Sequence, residues 1–354
     1  MSDDEAPGFS LEYEALVGLL NTRISAGPLG IEILPDASFM VSPGRVAEIV
    51  NNTLGVPKPV LAKAFIAARR IFFEHVDNLA ENAELILDTT SIILLFDPEH
   101  ITAANARKRI CLGFPYRARS EPEQLRRLEE ELWFSRFLLI SRLKRHNKSP
   151  TLWAHRRWLI KNFYSLGGLL LEPKWVLFEI EEVGLISAEN HPRNYYAWDY
   201  MRWLIAERPG LDQKTRSELN RPLANMMEKW CKHHTSDTSG WSFLAWMILR
   251  QPQTDPRAGQ NLQAHVGAEI LDYAMLLGLK NLSLWKFLQE ILGFPKSEEV
   301  DDVRLQYLTE LSDLRAGEPK GSALQVFATK SLIAIGKYEE SRTGLKMMVG
   351  GLVV

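Results

Sequence analysis

The chain has 354 residues, enough to bury a substantial core, and its 42 Lys and Arg are balanced by 44 Asp and Glu. That balance argues against nucleic-acid binding, which favours a strongly basic domain. Two cysteines are too few for a disulfide framework, and no apolar run approaches the ~18 residues that a membrane span needs. We therefore expect a protein of the reducing cytoplasm without a transmembrane segment.

Residues 1–84 lack the aromatic motif of the rest of the chain and are predicted to form an N-terminal helical cap with a loop segment. Helical spacing covers Phe9–Leu20, Val46–Leu54 and Pro57–Val76. Between them, Gly27–Ser42 is rich in Gly and Pro and is expected to be an ordered loop. A cap is expected because an end repeat would otherwise expose its apolar face.

From there on, a short motif recurs at a period near 45 residues. Its clearest copy is NYYAWDYMRWLI at Asn194–Ile205, followed by SPTLWAHRRWLI at Ser149–Ile160. Three weaker copies read ITAANARKRICL, SGWSFLAWMI and LSLWKFLQEIL. When the copies are aligned, the equivalent positions are 104, 153, 198, 241 and 285. A period of this length indicates stacked structural units, none of which can bury its apolar face alone.

The spacing inside each copy is helical, because Trp153, Arg157 and Ile160 lie at i, i+4 and i+7. A second helical run and a short polar loop precede each copy; these runs are Leu85–Phe96, Gln124–Arg145, Lys174–Ala188, Ser217–His233 and Gln263–Leu279. The sequence therefore predicts an all-α fold, an α-α superhelix or solenoid of about five helical hairpins. The hairpins span residues 85–292, and residues 293–354 are predicted to form C-terminal helices and an apolar tail.

The recurring residues are predicted to be structural. Trp153, Trp198, Trp241 and Trp285 return at the period of the repeat, so we expect them in the core. Arg157 and Arg202 are expected to be buried and paired where one repeat meets the next.

Positive charge is concentrated beside the second motif, since residues 142–157 contain six Lys and Arg and no acid. These cations either offset a helix dipole and pair within the structure or form a phosphate site, and the residues alone leave both possibilities open. The chain contains no Gly-x-Ser-x-Gly elbow and no phosphate-binding loop. We expect no metal ligands, no cofactor and no catalysis by this chain alone.

The pattern Asn-Tyr-x-x-Trp-x-x-x-Arg-x-(Leu/Ile) in tandem hairpins resembles the α-subunit repeat of the protein prenyltransferases. One branch, the α-subunit-repeat-containing proteins, is similar over more of the chain. The stretches that carry this similarity are IEILP, LILDTTSIILLFDPEHITAANARKR and HTSDTSGW. The resemblance covers roughly Leu16–Leu292.

The resemblance implies a heterodimeric transferase in which this chain is the α subunit without zinc. Zinc and the isoprenoid pocket are then expected in a β subunit, that of the Rab geranylgeranyltransferase for this branch. Such a type III geranylgeranyltransferase transfers the geranylgeranyl group of geranylgeranyl diphosphate to a C-terminal cysteine of a protein substrate such as a SNARE.

The resemblance also implies roles for particular residues. Lys148 stands five residues before Trp153, where the family has a lysine that reaches the isoprenoid diphosphate. Tyr195, with Asn194 and Arg193 beside it, is expected to contact the diphosphate or the peptide substrate. Lys148 and Tyr195 are thus the predicted catalytic residues, and all four are predicted to bind substrate.

Two other interpretations stay open. Pro150 replaces a tyrosine of the family pattern, and this loss, with the weak outer copies, favours a non-enzymatic repeat scaffold for protein–protein interaction. The other is the α subunit of a farnesyltransferase or a type I geranylgeranyltransferase.

Overall fold

The computed structural model describes residues 10–21, 30–35, 46–113, 119–210, 212–250, 256–294, 300–343, 348–349 and 352–353. The chain divides into two compact units, Met1–Gly210 and Leu211–Val354. In both units the described residues are mainly helical, and consecutive helices pack together as hairpins. The predicted all-α fold of helical-hairpin repeats is confirmed. The division at residues 84 and 292 stays a prediction.

The N-terminal part of the first unit contains helices α1 (Leu11–Asn21) and α2 (Lys58–His75) and a small sheet. The sheet has the order β1 (Gly30–Leu34), β3 (Thr53–Pro57), β2 (Glu48–Val50). Strand β1 pairs parallel with β3, and β2 pairs antiparallel with it.

This sheet corrects two predictions. The helix predicted over Val46–Leu54 is wrong, because Asn51 and Asn52 have φ angles of 49° and 58° and form the two-residue turn of a β-hairpin. The loop predicted over Gly27–Ser42 is wrong at Gly30–Leu34, which is a strand. Residues 27–29 and 36–42 of that loop lie outside the described residues.

Three hairpins follow in the first unit. Their helices are α3 (Ala83–Phe96), α4 (Ile101–Leu112), α5 (Glu121–Leu139), α6 (Lys144–Asn147), α7 (Pro150–Phe163), α8 (Pro173–Glu179), α9 (Ile186–Asn190) and α10 (Tyr195–Ala206). A π-helical segment, Ile180–Leu185, joins α8 to α9. Helix α5 ends six residues before the predicted Arg145, and the one-turn helix α6 occupies part of the connection to α7.

The second unit contains α11 (Gln213–His233), α12 (Thr238–Arg250), α13 (Pro256–Leu276), α14 (Leu282–Leu292), α15 (Asp301–Gly317) and α16 (Ala323–Thr343). In the predicted apolar tail, β4 (Met348–Val349) pairs antiparallel with β5 (Leu352–Val353). Residues 344–347, 350–351 and 354 lie outside the described residues.

The motif tryptophans are buried, as predicted; Trp153, Trp198, Trp241 and Trp285 are 1–3% exposed. Three of the indole N–H groups donate to the carbonyl oxygen six residues earlier. Trp153 reaches Asn147 at 2.8 Å, and Trp241 and Trp285 reach Thr235 and Leu279 at 2.9 Å. Each of these side chains therefore packs in the core and also forms a hydrogen bond that stabilises the loop before its helix.

The prediction that the motif arginines are buried is wrong, although Arg157 does pair with a residue of the next repeat as predicted. Arg157 is half-buried at the surface, where it pairs with Asp199 at 2.5 Å, and Arg202 is half-buried too. The buried arginine of this repeat is Arg156, which is 2% exposed. Arg156 and Arg157 follow Trp153 by three and four residues, so they flank the tryptophan on opposite sides, about 100° apart around α7. The side that Arg156 takes is the one packed against the neighbouring helices.

Arg156 forms a bidentate ion pair with Glu179 of the next repeat, at 2.6 and 2.7 Å. Arg107 occupies the same position one repeat earlier and pairs with Glu131 in the same way, at 3.0 and 2.6 Å. Both carboxylates are at most 1% exposed. Two junctions of the first unit are thus closed by buried arginine–glutamate pairs.

Candidate functional site

The loop between α5 and α7 is held by hydrogen bonds to the neighbouring repeat. The Nε2–H of His146 donates to the carbonyl oxygen of Leu95 at 2.7 Å, and the Ser149 hydroxyl donates to that of Pro98 at 3.2 Å. Both side chains are buried. The Ser149 hydroxyl also accepts from the backbone N–H of Leu152 and caps α7. The backbone around Lys148 is therefore fixed on both sides.

Lys148 projects from this fixed loop toward the next one. Its ammonium group donates to the carbonyl oxygen of Pro192 at 3.3 Å, a contact exposed to solvent. Among the described residues no carboxylate pairs with Lys148. Its positive charge is thus oriented but not neutralised, which is what binding of an anion requires.

Arg193, in the loop before α10, and Tyr195, the first residue of α10, follow shortly after Pro192, whose carbonyl oxygen Lys148 contacts. Tyr195 is 73% exposed. Arg193 is also exposed and has a φ of 59°, so the chain turns sharply just before the helix. Because Lys148 reaches Pro192, the lysine, the arginine and the tyrosine belong to one edge of the first unit.

Asn194 has a different place from the one predicted. It is 0% exposed and caps α10, its side-chain oxygen accepting from the backbone N–H of Ala197 at 3.5 Å. Its amide nitrogen donates to the backbone carbonyl of Asn147 at 3.1 Å and to the side-chain oxygen of the same residue. Asn194 therefore fixes the backbone of Arg193 and Tyr195, and its own side chain is too buried to contact a substrate.

The remaining cations of residues 142–157 separate into two groups. Arg156 and Arg157 are paired with carboxylates, as described above. Arg142, Lys144 and Arg145 are exposed, and Arg145 lies over the ring of Phe96 at 5.7 Å. Burial lowers the pKa of His146 to about 4, so this histidine adds no positive charge at neutral pH. The edge that carries Lys148 is positive through lysine and arginine alone.

Other side chains of the site region were not anticipated from the sequence. Glu131 and Glu179 could have been found from the repeat, because they are 48 residues apart and the buried Arg107 and Arg156 are 49 residues apart. Both pairs therefore recur at close to the same period. Trp158 and Trp203 also recur at the period of the repeat. They are half-buried, and each lies under a cation of the preceding repeat.

No group of three or more His, Cys, Asp and Glu side chains among the described residues could hold a metal ion. Cys111 and Cys231 are both buried, and burial raises the pKa of both thiols. No helix of the described part of the chain is long and apolar enough to cross a membrane.

Fold and site together define a class: a tandem helical-hairpin protein with a buried tryptophan in each of four hairpins and an oriented lysine on one loop edge. A family model described as the ECM9 middle domain matches residues 152–268.

Curated relatives carry the similarity further. The human protein prenyltransferase alpha subunit repeat-containing protein 1 is 26% identical over 227 residues, which are 60% of this chain and 51% of the relative. The Xenopus laevis form 1-B is 22% identical over 63% of this chain and 50% of the relative. The bovine geranylgeranyl transferase type-2 subunit alpha is 31% identical over 41% of this chain and 23% of the relative.

The resemblance to prenyltransferase α-subunit-repeat proteins predicted from the motif is thus confirmed. The chain spans about half the length of the repeat-containing relatives it matches and less of the type-2 α subunits.

Proposed function

We propose that this chain acts as the α-like subunit of a heterodimeric protein geranylgeranyltransferase. Its partner would be a β subunit of the kind found with Rab geranylgeranyltransferase, which would supply the zinc ion and the isoprenoid pocket. The pair would transfer a geranylgeranyl group from its diphosphate to a C-terminal cysteine of a protein such as a SNARE. The similarity to geranylgeranyl transferase type-2 α subunits supports this choice.

The observation that carries the proposal is the geometry of Lys148. Its ammonium group is held by one carbonyl oxygen, so two of its three donors remain available to an anion. A diphosphate leaving group gains negative charge as the carbon–oxygen bond breaks, and a cation fixed beside it stabilises that charge without having to reorganise. The bond that breaks joins the first isoprenoid carbon to the diphosphate oxygen, and the new bond joins that carbon to the cysteine sulfur.

Tyr195 and Arg193 would complete the anion site. The phenol of Tyr195 can donate a hydrogen bond and the guanidinium of Arg193 can bind a phosphate in bidentate fashion. Their side chains make no hydrogen bond or ion pair with any described residue, so both are free to meet a ligand. Asn194 contributes only indirectly, through the turn that it holds.

The test is co-expression with a Rab geranylgeranyltransferase β subunit, followed by purification and transfer of labelled geranylgeranyl to a SNARE that ends in a cysteine pair. We expect a stable complex whose turnover falls at least tenfold in Lys148→Ala, with the complex intact. Lys214→Ala removes an 85% exposed lysine of the second unit and serves as the matched control. Failure to form a complex with this β subunit would contradict the proposal.

A second function has one observation in its favour. Pro150 is the first residue of α7 and offers no hydroxyl group where the family pattern has a tyrosine. A helical-repeat scaffold for protein–protein interaction would not need a hydroxyl group at this position. A complex whose turnover is absent, or is unaffected by Lys148→Ala, would favour this scaffold over the enzyme subunit.

A further inference from the structure

The second helices of the first three hairpins share one solvent-facing side. The motif copies align, so positions 108, 157 and 202 are equivalent, as are 109, 158 and 203, and 112, 161 and 206. All nine are half-buried or exposed. The side chains of α4, α7 and α10 at these positions therefore form a single repeating surface.

This surface is rich in positive charge. Helices α4, α7 and α10 carry three, three and one Lys or Arg, and their only acid is Asp199. Arg107 and Arg156 are buried in ion pairs, which leaves five cations facing solvent, of which Arg157 is paired with Asp199. We call this surface the cationic face; its main residues are Lys108, Arg109, Arg157, Trp158, Lys161 and Trp203, with Arg202 beside them.

Cations and indoles alternate along the cationic face. The ammonium of Lys108 lies 5.9 Å from the ring centroid of Trp158, and the guanidinium carbon of Arg157 lies 5.3 Å from that of Trp203. In both cases the cation of one repeat covers the indole of the next. These contacts hold both tryptophans in place before any partner arrives, so little side-chain entropy remains to be lost on binding.

We infer that the cationic face docks an acidic surface of the partner subunit, with Trp158 and Trp203 as the anchors. The inference rests on the proposed function for the identity of that partner. Half-buried tryptophans and arginines are the residues enriched at the centres of protein–protein interfaces. The net charge of the whole chain is −2, so the positive charge is local and is suited to orienting an acidic partner rather than to bulk polyanion binding.

The cationic face is continuous with the candidate site. Tyr195 and Pro150 are the first residues of α10 and α7, so the loop edge that carries Lys148 forms one end of the same surface. A subunit docked on the cationic face would come to lie beside Lys148. It would exclude water there and so strengthen the attraction between the ammonium group and a diphosphate.

The test uses the full chain and the purified β subunit of Rab geranylgeranyltransferase, with the dissociation constant measured at 50 and 300 mM NaCl. The main variant is Arg109→Glu with Lys161→Glu, since both side chains are exposed and neither forms an ion pair with a described residue. We expect its affinity at the lower salt concentration to fall at least tenfold and its salt dependence to become weaker than that of the unmodified chain. Trp203→Ala tests the anchor and is expected to lose tenfold or more at both salt concentrations.

The matched control is Lys214→Glu with Arg221→Glu, which reverses two exposed cations on α11 of the second unit and should change affinity less than twofold. Thermal unfolding of each variant shows whether it is folded. A complex whose affinity is unchanged by the Arg109/Lys161 reversal overturns the docking inference and leaves the proposed function standing. Absence of any complex with the unmodified chain overturns both.

Discussion

Arg156 on α7 donates both halves of its guanidinium group to Glu179 on α8, and neither side chain is more than 2% exposed. The remaining nitrogen donates to the carbonyl oxygen of Leu132 and to the hydroxyl of Ser135, on the first helix of its own hairpin. One arginine thus joins three helices. Burial opposes the charge of the guanidinium group, but attraction to Glu179 outweighs it and raises the pKa of Arg156, which therefore stays charged.

Removing one partner of this pair is expected to cost far more than removing both. Glu179→Ala leaves a buried guanidinium without its counter-charge and should lower the free energy of unfolding by about 3–5 kcal/mol. Arg156→Leu with Glu179→Leu replaces the pair by apolar groups and should recover much of that loss. Urea denaturation followed by circular dichroism measures both. Equal losses in the single and double variants would show that the ion pair itself, and not an orphaned charge, supplies the stability.

The motif tryptophans are expected to contribute to stability. Trp198→Ala empties a site that is 2% exposed and should cost about 3–5 kcal/mol, because the surrounding repeats cannot fully close the cavity. Trp158→Ala, at a half-buried position, is the comparison and should cost less. Thermal melting of the two variants ranks them. Similar melting temperatures would contradict the assignment of Trp198 to the core and of Trp158 to the surface.

Acid sensitivity is expected from His146. Its pKa is lowered from 6.5 to about 4, first by burial. The unfolded chain takes up a proton below pH 6.5 while the folded chain stays neutral, so stability falls as the pH decreases from 6.5 to 4. The loss from this group is about 3 kcal/mol.

Urea denaturation at pH 7.5, 6, 5 and 4 should show this slope in the unmodified chain and a shallower one in His146→Gln. His155 is also buried, and its pKa is lowered as well, so some slope remains in the variant. If the two slopes are the same, His146 is not held neutral by the fold.

Asn194 should act on the candidate site through position. Asn194→Ala removes the cap of α10 and the hydrogen bonds to Asn147, and a lost cap alone costs about 1 kcal/mol. With the proposed β subunit, we expect turnover to fall because Tyr195 is no longer held, while addition of Asn194→Ala to Tyr195→Phe causes little further loss. Fully additive losses would argue that Asn194 has a separate role.

The repeat architecture could be predicted from the sequence because the period and the helical spacing are local signals. The predicted first helices of the five hairpins agree with the observed ones to within about seven residues at each end, when α8, the π-helical segment and α9 are taken together, and the four tryptophans lie in the core as predicted. Asn51 and Asn52 carried a local signal for a β-turn that helical spacing concealed. The parallel pairing of β1 with β3 joins segments that are distant in the sequence, so the residues of either strand alone do not predict it.

The site was predictable only in part, since the side of a helix on which a residue lies depends on small rotations. Arg156 and Arg157 are neighbours of the same type, and period alone does not tell which of them points inward. The capping role of Asn194 was hidden for a similar reason: an asparagine before a helix can face a substrate or its own backbone, and the burial that decides between them is a tertiary property.

The paired arginines have a consequence for how many hairpins such a chain can hold. Arg107 and Arg156 are equivalent, and so are Glu131 and Glu179, so loss of the whole second hairpin would bring Arg107 opposite Glu179 with no buried charge stranded. Loss of the third would instead remove Glu179 and leave the buried guanidinium group of Arg156 without its carboxylate partner. The number of hairpins can therefore change by loss of the second, whereas loss of the third is opposed by the cost of a buried, unpaired charge.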